Sequence, residues 1–139
     1  MTQEHKELLL KDLCGRLPYG VKCDVGDDKP YTLSRIEIDD KNGHILDFKE
    51  KKDGLDMQVY LSEVKPYLYP LSSMTEEQGK ELQELYFDYI SDEILNSIEF
   101  VYHYDCKRLI DWLNKNHFDY MGFIPMGLAK DATNLNIYG

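Results

Sequence analysis

What this chain can fold into is limited first by the period of its apolar residues, which changes along the sequence. Tyr19, Val21, Cys23 and Val25 alternate with Gly20, Lys22 and Asp24, the two-residue repeat of a half-buried strand. Further on, Leu82, Leu85, Tyr86, Tyr89, Ile90, Ile94 and Ile98 recur at intervals of three and four, with Glu77, Glu81, Glu84, Asp88 and Asp92 on the opposite side. That spacing belongs to an amphipathic helix. A chain holding both periods is expected to be α+β.

The turn residues order the strands. Asn42-Gly43 and Asp53-Gly54 lie between alternating segments, where the positive backbone angles of tight hairpins favour such pairs. Tyr31 and Leu33 share one parity while Ile36 and Ile38 share the other, which a bulge near Ser34 or Arg35 would reconcile. With Met57, Val59 and Leu61 alternating in the last segment, the region from about Tyr19 to Leu61 reads as a four-stranded antiparallel meander. It is expected to curl into a small SH3-like or OB-like half-barrel, burying one face.

Helices are expected on both sides of this sheet. Gln3 to Cys14 places Leu9, Leu10, Leu13 and Cys14 on one helical face, with Thr2 as cap and Gly15 as stop. Pro66 and Pro70 exclude a long helix from Ser62 to Met74, which reads as a connector between residues 1–61 and 75–139. Thr75 and Gln78 then form a capping box. A last helix from the cap Asp105 to about Asn116 would bury Leu109, Ile110, Leu113 and part of Trp112, and the tail Phe118 to Gly139 should wrap the body as ordered coil. The 139 residues suit a single domain.

The formal charge of −10 opposes direct nucleic-acid binding, which needs a basic stripe. No apolar run approaches the roughly 20 residues of a membrane span, and Met1 to Asp12 lacks the apolar centre of a secretory signal, so a cytoplasmic location is expected. Cys14, Cys23 and Cys106 form no CxxC pair, so no disulfide, metal or cofactor is expected.

His103, Tyr104, Asp105 and Cys106 gather imidazole, carboxylate and thiol, and His117 with Asp119 could join them only if both ends of the last helix met. About twelve residues at 1.5 Å each hold those ends roughly 18 Å apart. Asp105 therefore reads as a cap and His117 as a residue favoured by the helix dipole. A thiol nucleophile would pair Cys14, Cys23 or Cys106 with His5, His44, His103 or His117, but no local signature selects a pair, and Cys14 and Cys23 fall on apolar faces.

Between Thr75 and Glu99 only Lys80 opposes Glu76, Glu77, Glu81, Glu84, Asp88, Asp92, Glu93 and Glu99. This reads as a solvated helix face, with imitation of a phosphate backbone as the sharper alternative. Eleven tyrosines offer rigid apolar area with a polar tip, and Tyr67, Tyr69, Tyr102 and Tyr104 sit where the chain changes direction. They are candidates for a partner-binding surface or for covering the seam between sheet and helices.

The stretches Lys11-Asp12-Leu13-Cys14-Gly15-Arg16-Leu17-Pro18-Tyr19-Gly20-Val21, Glu63 to Thr75, Asp111-Trp112-Leu113 through His117-Phe118-Asp119-Tyr120, and Ile124-Pro125-Met126-Gly127-Leu128-Ala129 carry a likeness over nearly the whole chain. It resembles a family of small proteins associated with phage-derived and mobile regions of gut anaerobe genomes. The resemblance implies no activity and no catalytic residues. The residues themselves point first to a non-enzymatic module that binds a protein partner, with self-association left open. The alternatives are an acidic nucleic-acid mimic and a small hydrolase with a site assembled from distant residues.

Folding without metal or disulfide has a direct check. Chelation and thiol reduction should leave the melting curve unchanged, since loss of a structural zinc would remove about 10 kcal/mol or more.

Overall fold

A computed structural model describes residues 1–49, 56–86 and 107–138. The N-terminal helix starts where it can be capped: the extended Thr2 accepts the His5 amide on its hydroxyl at 3.1 Å. This helix, α1, spans Gln3–Arg16. Gly15 therefore does not stop it. The chain leaves the helical path through a 3-10 turn at Leu17–Tyr19, ending on Gly20 in the left-handed region at φ 69°. Gly15 instead permits close approach, since a Cβ there would lie 3.0 Å from the Asn114 side-chain nitrogen.

The buried face of α1 also departs from expectation. Leu9 and Leu13 are buried, but beside them lie Asp12 and Arg16, while Cys14 is exposed. The charged pair is partly satisfied inside: Arg16 Nε donates to Asp12 Oδ2 at 2.7 Å and Nη2 donates to the Phe118 carbonyl at 2.6 Å, while Asp12 Oδ1 and Arg16 Nη1 are buried without a hydrogen-bond partner among the described residues.

Strands β1 (Lys22–Asp24), β2 (Tyr31–Glu37), β3 (Ile45–Lys49) and β4 (Asp56–Tyr60) pair antiparallel in consecutive order. The register shifts between Leu33 and Arg35, where the change of apolar phase called for a bulge. Ser34 fills the irregularity by donating its hydroxyl to the Asp47 carbonyl at 3.0 Å. Asp53-Gly54 lies outside the described residues, although the strands flanking it pair.

The sheet does not stop at four strands. Among the described residues it is mixed and seven-stranded, ordered β4-β3-β2-β1-β5-β6, with β7 also on β5. The added strands are β5 (Lys65–Pro70), β6 (Phe118–Asp119) and β7 (Lys130–Asp131). The segment expected to be a connector thus supplies β5, antiparallel to β1 and parallel to β6 and β7. Pro66 and Pro70 exclude a helix but are accommodated in this strand, opposite Cys23 and Asp119, where each keeps its carbonyl as an acceptor. Tyr69 N donates to the His117 carbonyl and Ala132 N to the Leu68 carbonyl, both at 2.8 Å. The tail is otherwise ordered coil, interrupted by β6 and β7.

One apolar cluster joins α1 to the sheet through Leu9, Leu13, Val21, Leu46, Phe48 and Leu68. A second joins α2 (Glu76–Tyr86) and α3 (Lys107–Lys115) through Leu82, Leu109, Trp112 and Leu113 against Phe118. Both bonds of the expected capping box are present: Gln78 N donates to Thr75 Oγ1 at 3.1 Å, and Thr75 N donates to Gln78 Oε1 at 2.9 Å. Trp112 Nε1 donates to Glu81 across the helix pair at 3.1 Å. Tyr89, Ile90, Ile94, Ile98 and Asp105 lie outside the described residues, as do the side chains of Leu85 and Tyr86.

The Asp12–Arg16 pair sets the first mutational expectation. Arg16→Met strands a buried carboxylate and should cost about 3–5 kcal/mol, whereas Asp12→Leu with Arg16→Met should cost less than the two singles summed. Denaturant unfolding of the three variants measures both.

Candidate functional site

Between the first turns of α1 and the loop joining β2 to β3 lies a cavity of about 440 Å³, lined by Lys6, Asp39, Asp40, His44, Tyr60 and Ser62 among others. Asp39 folds the loop. Its carboxylate accepts the Asn42 and Lys41 amides at 3.1 and 3.0 Å and the Asn42 side-chain amide at 3.2 Å. These bonds hold the Asp39 carboxyl below its ordinary value. Gly43 follows with φ 93°, a conformation that favours glycine, and an added Cβ would meet the Tyr60 ring at 3.5 Å.

His44 is oriented by the same loop. Its Nδ1 accepts the Asp39 amide at 3.0 Å, so the neutral ring carries its proton on Nε2, which lies 3.9 Å from the Asp40 carboxylate. At the mouth Tyr60 is 52% exposed, and Ile38, next to Asp39 in sequence, is 61% exposed. An ammonium, an imidazole N–H, a solvated carboxylate and an open aromatic face together can hold a polar side chain or ligand against apolar surface.

The second polar group is internal. His117 follows α3 at φ 62° and stacks on Tyr138, with ring centroids 3.6 Å apart. It is not the dipole-favoured cation expected from its position: burial, with Arg16 and Lys22 nearby, lowers it to about 4. Tyr138 accepts the Lys22 amide at 2.9 Å and donates to the Tyr67 carbonyl at 2.7 Å, which pins the tail to β1 and β5. Nearby, Tyr120 donates to Asn114 at 2.8 Å, and its ring lies 5.0 Å from the Arg16 guanidinium carbon.

Neither thiol among the described residues is activated. Cys23 is fully buried and burial pushes it up; partial desolvation also raises the exposed Cys14. His103 and Cys106 lie outside the described residues. Among the described residues no group of three His, Cys, Asp or Glu side chains could hold a metal ion, and no helix is long and apolar enough to cross a membrane.

Of the four tyrosines proposed for a partner surface, Tyr67 is 3% exposed and Tyr69 is half-buried against Phe118 and Tyr138. Tyr102 and Tyr104 lie outside the described residues. Tyr60 is the open ring that sequence reasoning passed over. Its signal was parity: it alternates with the inward Val59 and Leu61, so it faces away from the core. Glu76, Glu77, Glu81 and Glu84 are exposed along α2, and Glu81 is engaged by Trp112. No family model, curated protein or solved structure matches the chain.

The lowered His117 makes stability depend on pH. Its folded value lies below the ordinary 6.5, so the neutral ring's contribution is complete above that pH and is lost as pH falls towards 4. The loss should be about 2 kcal/mol, allowing for partial solvent screening. His117→Asn, which tolerates the positive φ, should lack this slope in denaturant unfolding between pH 7 and 4.

Proposed function

We propose that the chain is a single-domain, non-enzymatic interaction module that works in the cytoplasm by binding a protein partner. Its meander would curl in the manner of an SH3-like or OB-like half-barrel. Chain length supports the curl. Five residue steps from Tyr60 to Lys65 reach at most about 17 Å, and part of that path is a 3-10 turn. The same ends would stand about 19 Å apart across the four strand spacings of a flat sheet.

The observation that carries the binding reading is the exposed Tyr60 lining the cavity, with the exposed Ile38 entering the loop that Asp39 fixes. Exposed large apolar side chains beside oriented polar groups are what a protein-binding patch requires. Buried or half-buried, Tyr67 and Tyr69 serve the interior more than a surface, which moves the proposed contact towards Tyr60.

Affinity purification from the native host with wild type and Ile38→Ser/Tyr60→Ser tests this reading. Wild type should retain a stoichiometric protein that the double variant loses, with the melting temperature unchanged because both side chains are exposed. Recovery of no such protein, or of the same one by both forms, would count against it.

A further inference from the structure

The exposed side of β4 can be worked out from a single bond. Leu61 N donates to the His44 carbonyl at 3.0 Å, and the register Ile45↔Tyr60 continues to His44 opposite Leu61. Antiparallel pairs alternate between bonded and non-bonded. Met57 and Val59 therefore share the phase of Leu61 and direct their backbone groups to β3. Asp56, Gln58 and Tyr60 direct theirs away from it.

Among the described residues no strand lies on that outer side. Natural sheets guard such edges with charged residues, Lys above all, with Pro or with bulges; Asp-Met-Gln-Val-Tyr carries one charge, Asp56 at its start, has no Lys or Pro, and its register on β3 is unbroken. A shallow hollow of about 190 Å³ along the edge is lined by Ile45, Gln58, Val59 and Tyr60. Tyr60 also lines the larger cavity, so the two share this residue.

Charge selects the occupant. At the Tyr60 end the cavity offers Asp39 and Asp40 against Lys6, and Asp40 is 92% exposed on a chain of net charge −10. A second copy would bring the same charge against itself, whereas a cationic segment is attracted. The open ring of Tyr60, which lines the same cavity as Asp40, suits a Lys or Arg side chain, whose stem lies on apolar surface while its head meets carboxylate and ring face.

We propose that β4 takes an extended, basic segment of the partner protein as an added strand, bonded to the backbone of Gln58 and Tyr60. One Lys or Arg of that segment lies over Tyr60 against Asp40. This rests on the reading of the protein as an interaction module and names where and by what chemistry it binds.

The probe is a blocked synthetic peptide of alternating Val and Thr with Lys or Arg at its ends and centre, compared with one bearing Glu at those places. The basic peptide should bind at least about tenfold more tightly than the acidic one. It should slow amide exchange at Gln58 and Tyr60 and leave Met57 and Val59, already bonded to β3, unchanged. Gln58→Pro removes an outward N–H that no ladder bond uses, so it should fold and bind at least about tenfold more weakly, while Gln58→Ala should bind like wild type. Asp40→Asn should weaken binding and flatten its salt dependence; this variant and the exchange pattern decide the matter should the proline variant not fold.

Equal binding of both peptides, no binding at millimolar peptide, or full affinity in Gln58→Pro would overturn the proposal. So would dimerisation that protects the same two amides without peptide, since a second copy would then be the occupant. A natural partner that Gln58→Pro still retains but Ile38→Ser/Tyr60→Ser loses would defeat strand addition and leave the interaction reading standing.

Discussion

The fold depends on the burial of one guanidinium. Arg16 has no exposed surface, and removing such a charge from water costs several kcal/mol unless its donors are met. Two needs are met from opposite ends of the sequence: Asp12, one turn earlier in α1, and the Phe118 carbonyl, 102 residues later in β6. Burial pushes the Asp12 carboxyl up while the guanidinium pulls it down, and Asp12 in turn helps keep Arg16 protonated. Arg16 reaches both partners only once α1 and β6 have come together, and its Nη1, like Asp12 Oδ1, keeps no hydrogen-bond partner among the described residues. Apolar contacts around Leu9 and Leu13 tolerate small shifts, but this pair does not, so it selects one arrangement among many compact ones.

Satisfying Arg16 fixes the start of the tail, and the tail then secures itself in steps. Asp119 accepts the Phe123 and Ile124 amides, both at 2.9 Å, which turns the chain immediately after β6. Lys130, on β7, reaches the β1 end, pairing with Asp24 at 2.9 Å and also with Asp28. Against the effect of burial, Lys130 and the Gly26 and Asp28 amides hold the Asp24 carboxyl below its ordinary value. Tyr138 closes the path on Lys22 and Tyr67. A segment with little regular structure is held by side chains acting on backbone groups, which is why an irregular tail can be ordered.

Features whose cause is local could be read in the sequence: the Thr2 cap, the bulge after Leu33, the antiparallel pairing of the first four strands, and the reciprocal Thr75–Gln78 bonds. Each rests on residues close in the chain or on a parity change. Features requiring a distant partner could not. Pro66 and Pro70 excluded a helix, but nothing near them specified the pairings of Tyr69 with Phe118 or Tyr67 with Lys130. Asp12 and Arg16, four apart, look like an exposed helix pair until the Phe118 carbonyl is known. The candidate site was missed in a similar way. Counting tyrosines favoured those near chain reversals, whereas strand parity, already used to place Val59, also put Tyr60 on the outer face.

The open edge of β4 follows from the core beneath it. Consecutive strands usually pair, and β5 begins only a short 3-10 turn after β4. Yet β5 joins β1, at the other side of the meander. The connection carries Leu61 and Val64, both buried with Leu46 and Phe48 in the cluster under α1. Burying two such side chains is worth roughly 3–6 kcal/mol, more than the net gain from a few edge hydrogen bonds of about 1 kcal/mol each. The chain therefore passes across the core to β1, where β6 and β7 can then assemble on β5. Every later described strand adds on that side, leaving the outward groups of Gln58 and Tyr60 without a strand partner among the described residues. Because the ion pair and the tail secure β1, β5 and β6, an added strand at β4 can form bonds at the far edge without breaking any that hold the fold together.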